Sequence, residues 1–146
     1  MSIIANQETD LKYILEEQVG YLLRLASQRH SVIFQKYALE SITPTQFSTL
    51  IRVAEIGEVS QNHLGRLTAM DVATIKGVVD RLKNKNLITS RPDEIDKRRT
   101  VISLTANGTA LVADLRSTGL EITHETLSPL TPKERVTLVA LLRKIS

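Results

Sequence analysis

The sequence predicts a mainly α-helical chain with a small β-wing, and three observations point to it. Two short helical patterns, about residues 61–68 and 71–85, are separated by the break Ala69-Met70-Asp71. Two runs rich in β-branched residues then flank the basic stretch Arg91-Pro-Asp-Glu-Ile-Asp-Lys-Arg-Arg-Thr100, which reads as a hairpin with an arginine-rich loop. Longer apolar helical patterns lie at both ends, about residues 10–38 and 106–146. The middle, about residues 43–104, therefore reads as a winged helix-turn-helix. That unit suits placing one helix in a DNA major groove with a basic loop beside it. The terminal helices read as dimerisation elements flanking it within a single domain spanning 1–146.

The elements follow in order. In the first helix Leu11, Ile14, Leu15, Leu22, Leu25, Ala26 and Ile33 share one face at about 100° per residue. Asp10 is its N-cap, with Thr9 as the alternative. Ser41-Ile-Thr-Pro-Thr45 ends this helix and begins the next, with Thr43 as N-cap and Pro44 at the first helical position. The second helix runs from about 44 to 56, burying Phe47, Leu50, Ile51 and Ala54, and Gly57 closes it. Ser60 caps a third helix with Leu64 and Leu67 inward. Asp71 or a neighbour starts the fourth, whose inward stripe is Val72, Ile75, Val78, Val79 and Leu82. Asn86 follows where a left-handed residue is needed. Strands are expected over 87–91 and 100–104. Thr105 caps a fifth helix from 106 to about 123, and Thr131-Pro-Lys-Glu134 is a capping box opening a final helix that ends near Ile145. The predicted order is α-α-α-α-β-β-α-α.

Composition narrows the function classes. The chain has 146 residues, 42% of them hydrophobic, and no apolar run long enough to span a membrane. No signal-peptide pattern is visible, so the expected compartment is the cytoplasm. With no cysteine, disulfides, thiolate metal sites and thiol redox sensing are all excluded. The formal net charge is only +3, but its distribution is uneven: residues 60–99 hold nine Lys or Arg against five Asp or Glu, while the rest hold ten against eleven. Positive charge thus gathers on the reader, as an electrostatic DNA footprint requires. Chance clustering on a solvated surface is the bland alternative.

The candidate DNA-contacting residues follow from this layout. Thr74 and Lys76 on the fourth helix can reach base edges or phosphates, and Ala73 can touch a thymine methyl. Ser60, Gln61 and Asn62 bring a cap, amide donors and backbone N–H groups to a phosphate. Arg81 and Lys83 either contact the DNA backbone or form a solvated helix face. Lys97, Arg98 and Arg99 crowd the wing, where an arginine fits a narrow, electronegative minor groove. Asp96 is better suited to orienting Arg98 than to meeting phosphate. The histidines His30, His63 and His124 are too scattered for a metal site, so neither metal nor cofactor is expected. No nucleophile elbow, phosphate-cradling glycine loop or catalytic cysteine is present, and the chain does not read as an enzyme.

The block Thr74-Ile-Lys-Gly-Val-Val-Asp-Arg-Leu-Lys-Asn-Lys-Asn-Leu-Ile88, continuing to Asp96-Lys-Arg98-Arg99 and Val101-Ile-Ser-Leu-Thr-Ala-Asn-Gly108, resembles the MarR family of winged-helix transcriptional regulators. It matches that family's recognition helix, Asp-x-Arg wing motif and Leu-Thr-x-x-Gly entry to the fifth helix. Thr43-Pro-Thr-Gln-Phe47 and Ser60-Gln-Asn-His-Leu64 match the starts of its second and third helices, so the similarity covers about residues 10–145. The resemblance implies a homodimer on a pseudo-palindromic operator in double-stranded DNA, commonly as a repressor, with Arg98 in the minor groove. Gly77 departs from the pattern, since many relatives carry a bulky or basic side chain there facing DNA; readout then leans on Ala73, Thr74 and Lys76. Asn86 replaces a more usual glycine. Gly20-Tyr-Leu-Leu-Arg24, Gln28-Arg-His30 and Leu67-Thr-Ala-Met-Asp71 resemble a subgroup linked with degradation of aromatic acids, including nicotinic acid.

That subgroup implies a small aromatic carboxylate as effector. All five aromatic residues (Tyr13, Tyr21, Phe34, Tyr37 and Phe47) lie in the first third, where they serve either as core or as a surface for an aromatic ligand. Arg24 or Arg29 could hold its carboxylate. Tyr21, Arg24, His30 and Gln46 are the candidate ligand residues, with His30 alternatively a satisfied structural histidine. Two other readings stand beside the ligand-released regulator: a winged helix used for protein–protein contact, and a regulator with no small-molecule inducer.

Overall fold

The computed structural model describes residues 11–146. After a short 3₁₀ turn at Leu15–Glu17 come helices α1 (Val19–Tyr37) and α2 (Pro44–Ile56), strand β1 (Glu58–Ser60), helices α3 (Gln61–Leu67) and α4 (Val72–Asn84), strands β2 (Ile88–Pro92) and β3 (Thr100–Leu104), and helices α5 (Ala106–Thr126) and α6 (Pro132–Lys144). The predicted class holds, a helical chain with a small antiparallel sheet. The first helix begins later than its apolar pattern suggests, after the 3₁₀ turn, and the expected caps Thr9 and Asp10 lie outside the described residues.

Local chemistry accounts for most boundaries. Thr43 and Gln46 form a capping box with Pro44 at the first position of α2. Gly57 closes α2 at φ +94°, in the region closed to most side chains. Ser60, Asp71 and Thr105 each accept the backbone N–H three residues on, from His63, Thr74 and Gly108. Thr131 and Glu134 make the second capping box, at the start of α6. Asn86 stands at φ +59°, as expected.

The strand β1 is an addition to the predicted order. Its three residues pair with β3, placing Val59 opposite Ile102, so the sheet runs β1-β3-β2 with β3 in the middle. Three residues are too few for alternation to register as a pattern.

Leu50, Val53, Leu64, Ile75, Val79, Leu82, Ile102 and Leu115 form the centre of the core, drawn from α2, α3, α4, β3 and α5. Burying such side chains contributes about 1.5–3 kcal/mol each. Two expectations need correction. On α2 the fully buried face is Gln46, Thr49, Leu50 and Val53, while Phe47, Ile51 and Ala54 are only half-buried. Thr49 can sit inside because its hydroxyl donates to the Thr45 carbonyl at 2.7 Å. On α4, Val72 is 69% exposed rather than part of the inward stripe. It opens the helix, one turn before Ile75 and Val79 reach the core.

The terminal helices differ from the centre. Leu15, Leu22 and Leu25 on the first-helix stripe are exposed, and only Ile33 of that stripe is buried. Helix α6 buries none of its residues and packs extensively against no other described element. Its Val136, Val139, Leu141 and Leu142 face outward. What ties α1 to α5 is a small second core of Ile33, Phe34 and Ile122, against which Tyr37 and Phe47 pack.

Candidate nucleic-acid interface

The outward side of the winged unit is polar and cationic. Helix α4 buries Ile75, Val78, Val79 and Leu82, which turns Ala73, Thr74, Lys76, Asp80 and Arg81 to solvent. Gly77 lies on the same side. The Asp71 carboxylate accepts the Thr74 N–H at 2.7 Å, and this bond, helped by the Thr74 hydroxyl, holds it below the usual carboxylate range. The Lys76 ammonium pairs with Asp80 one turn on at 3.0 Å. An exposed pair of this kind is weak and opens easily.

Helix α3 and the wing meet at a cleft of about 300 Å³ lined by Ser60, Gln61, Asn62, Arg66, Arg98, Arg99 and Thr100. Strand β1 makes this possible. By pairing with β3 it brings Ser60, the cap of α3, alongside Val101 at the base of the wing. Two regions about 35 residues apart thus present amide and guanidinium donors to one space. Arg66 was not among the expected contacts, although it lies one helical turn after Asn62, on the same exposed face. Its Nη2 is 3.4 Å from His63 Nδ1.

The wing is internally braced. Asp93 N–H bonds the Arg99 carbonyl at 2.9 Å, and Arg99 N–H bonds the Asp96 carbonyl at the same distance. The Asp96 carboxylate receives the Arg98 side chain at 3.1 and 3.3 Å and the Arg98 N–H at 3.1 Å. These bonds lower its pKa, the guanidinium contributing most. Arg99 Nε stands farther off, 3.8 Å from Asp96 Oδ2, the oxygen that also accepts from Arg98 Nη2. Arg98 remains 91% exposed, while Lys97 is exposed at the tip. Arg91, counted with the basic wing, is occupied instead: its Nη2 reaches Glu58 at 2.8 Å, tying β2 to β1 across β3.

The four candidate ligand residues are divided. Tyr21 and Arg24 come together on α1, the guanidinium 5.5 Å from the ring centre. His30 Nδ1 lies 2.9 Å from the Thr126 hydroxyl, which fits the structural alternative. Gln46 is buried, and its carboxamide oxygen accepts from the Thr43 N–H and from Lys85 Nζ at 3.0 Å. Arg29 donates to the Glu125 and Thr126 carbonyls at the end of α5, a cation at a helix C-terminus. Arg24, by contrast, makes no ion pair among the described residues. The Phe34 and Phe47 rings meet edge-on at 5.8 Å, and a cleft of about 440 Å³ opens beside Phe47, between α2 and the turn after α3. Among the described residues no group of His, Asp or Glu is arranged to hold a metal ion, and no helix is long and apolar enough to cross a membrane.

Comparison with known proteins agrees with this architecture. Residues 42–100 match the model of the MarR family. The HTH-type transcriptional repressor NicR of Pseudomonas putida is 41% identical over 134 residues, covering 91% of this chain and 85% of NicR. The crystal structure of a probable transcriptional regulator from Pseudomonas aeruginosa superposes with a TM-score of 0.88 at 42% identity, over 91% of this chain and all of that one. Bordetella bronchiseptica BpsR, described through the regulation of its DNA binding by 6-hydroxynicotinic acid, gives 0.87 at 40% identity over 92% of this chain and 96% of its own. With the reader, the wing and the flanking helices all in register with these relatives, the chain belongs to the MarR family of winged-helix transcriptional regulators.

Proposed function

We propose that the protein is a repressor that binds a pseudo-palindromic operator as a homodimer and is released by a small aromatic acid. The observation that carries the DNA reading is the cleft where Ser60, Gln61 and Asn62 of α3 converge with Arg98 and Arg99 of the wing, beside the exposed polar face of α4. Ala73, Thr74, Lys76, Gly77 and Arg81 lie over the major groove in this reading. Ser60–Asn62 and Arg66 hold phosphate, and Lys97, Arg98 and Arg99 lie along the minor groove. The repressor sense rests on likeness to NicR.

Homodimerisation is supported by α6, whose apolar side chains find no cover within the described chain. A helix of that length is marginal by itself, and a second copy supplies the same apolar surface in return. Each recognition helix then enters a major groove about one helical turn from its mate.

The effector is an aromatic carboxylate of the 6-hydroxynicotinate or hydroxybenzoate kind, with Arg24 for the carboxylate and Tyr21 as ring partner. His30 and Gln46 serve as wall residues, because His30 Nδ1 and Gln46 Oε1 already have partners. Likeness to BpsR supports the chemical class. A ligand that favours one spacing of the two recognition helices releases DNA through that difference in affinity alone. A thermal-shift screen of aromatic acids, followed by operator release with each hit, tests this. At least one acid raises the melting temperature and loosens operator binding; a panel in which none does either rejects the effector and leaves the DNA reading standing.

A further inference from the structure

We propose that Arg81 is a base-reading arginine, its guanidinium delivered to guanine in the major groove through the gap left by Gly77. The proposal rests on the DNA-binding reading above and adds a specificity-determining pair to it. The starting point is the space over Gly77. A Cβ built there would stand 3.3 Å from Arg81 Nη1 and 3.9 Å from its Cζ, and would meet no other group outside its own helix backbone within 4 Å. The Arg81 side chain therefore runs back toward the helix N-terminus, as helical side chains do. Its charged end lies one turn before its own Cα, in the volume a side chain at 77 would claim.

Packing does not explain this glycine. At Gly108 a Cβ would strike the Leu87 carbonyl, and at Gly65 it would press on Ile75 and the Met70 carbonyl. At Gly77 only the end of a flexible arginine is in the way. A glycine inside a helix costs stability relative to alanine, so holding one at the sixth position of α4 needs another reason. At about 100° per residue, the buried stripe Ile75, Val78, Val79 and Leu82 puts Ala73, Gly77 and Asp80 at the centre of the opposite face. Ala73 and Gly77 add little bulk to that face, Asp80 is held by Lys76, and the Arg81 end lies over Gly77.

Arg81 is also uncommitted. It makes no ion pair among the described residues. Lys76 pairs with Asp80, Lys85 with the Ser41 carbonyl and Gln46, and Arg91 with Glu58, while Lys83 is as open as Arg81 but does not reach over Gly77. A planar guanidinium with free, forked donors on a groove-facing helix matches the O6 and N7 acceptors of guanine, with a fixed geometry that a lysine ammonium lacks.

The test begins by selecting the preferred duplex of the parent from a random pool, then measuring binding of Arg81→Lys, Arg81→Ala and Gly77→Ala to it and to single-base variants. The parent selects a guanine in each half-site. Arg81→Ala loses about 10- to 100-fold of the preference for that guanine, Arg81→Lys loses less because its ammonium still donates, and replacing the guanine with 7-deazaguanine weakens the parent but not Arg81→Ala. Gly77→Ala melts higher than the parent and shows a smaller loss of preference, with little further effect when combined with Arg81→Ala. The proposal is overturned if Arg81→Ala retains the guanine preference. It is also overturned if Arg81→Ala weakens all sequences equally while the salt slope falls by about one, the signature of a phosphate contact. A parent that selects no sequence at all rejects the DNA-binding reading beneath it instead.

Discussion

Asp96 grips Arg98 twice, through the backbone N–H at 3.1 Å and through the guanidinium at 3.1 and 3.3 Å. On the proposed DNA-facing surface a carboxylate would repel phosphate, so its presence there calls for a positional role. The double grip supplies one, because it holds an otherwise exposed arginine in a single direction at the wing.

This gives a prediction with a distinctive sign. Arg98→Ala weakens operator binding about ten-fold or more while the melting temperature stays put. Asp96→Ala removes a negative charge and would strengthen binding if charge were all that mattered; the geometry predicts weaker binding instead. Fluorescence anisotropy on one labelled operator duplex reads both variants, and tighter binding by Asp96→Ala would refute the positioning role.

Gly108 tests the packing of the wing against α5. A Cβ there would overlap the Leu87 carbonyl, which also accepts the Thr105 N–H at 3.1 Å. Gly108→Ala is expected to cost about 1–3 kcal/mol or more through overpacking. Urea unfolding measures it, and a variant as stable as the parent contradicts the close approach.

Acid should loosen the helix starts. The folded pKa of Asp71 is lowered by the Thr74 N–H, and that of Glu134 by the Thr131 N–H. A carboxyl with a folded pKa below its unfolded value binds fewer protons when folded. Its stabilisation is present above the unfolded pKa and is lost as pH falls through the folded one. Asp71→Asn, which still caps but no longer titrates, should match the parent near neutral pH and lose less stability in acid. Equal acid sensitivity of the two proteins would contradict the assignment.

How far these features could be seen beforehand depends on their range along the chain. Caps are local, and Thr43, Ser60, Asp71, Thr105 and Thr131 all act where the sequence placed them. The left-handed Asn86 and the inward Ile75, Val78, Val79 and Leu82 were legible for the same reason. What escaped depends on contacts between distant segments. Strand β1 exists only because β3 lies beside it, and Arg66 joins the cleft only because that pairing brings the wing to α3. Gln46, a candidate ligand residue, closes a local capping box with Thr43 that its Thr-x-x-Gln spacing allows, and only its bond to Lys85, 39 residues away, was hidden from the sequence. Val72 carries an apolar side chain at inward spacing, yet it lies before the point where α4 meets the core.

The uncovered terminal helices predict an association-dependent fold. The melting temperature of the parent rises with protein concentration, and light scattering gives twice the chain mass at micromolar concentration. Val139→Glu with Leu142→Glu shifts the protein toward the monomer mass. A parent that runs as a monomer with a concentration-independent melt would contradict the homodimer.

The face built by α3, α4 and the wing is the proposed reader of duplex DNA. Equilibrium binding to the duplex upstream of the protein's own coding region, set against a scrambled duplex of equal length across about 50–200 mM salt, tests it most directly. In this reading two chains bind each operator, preference over the scrambled duplex holds at every salt, and the affinity falls linearly with salt on logarithmic axes. Equal and weak binding to both duplexes throughout that range, with no dependence on salt, would contradict it.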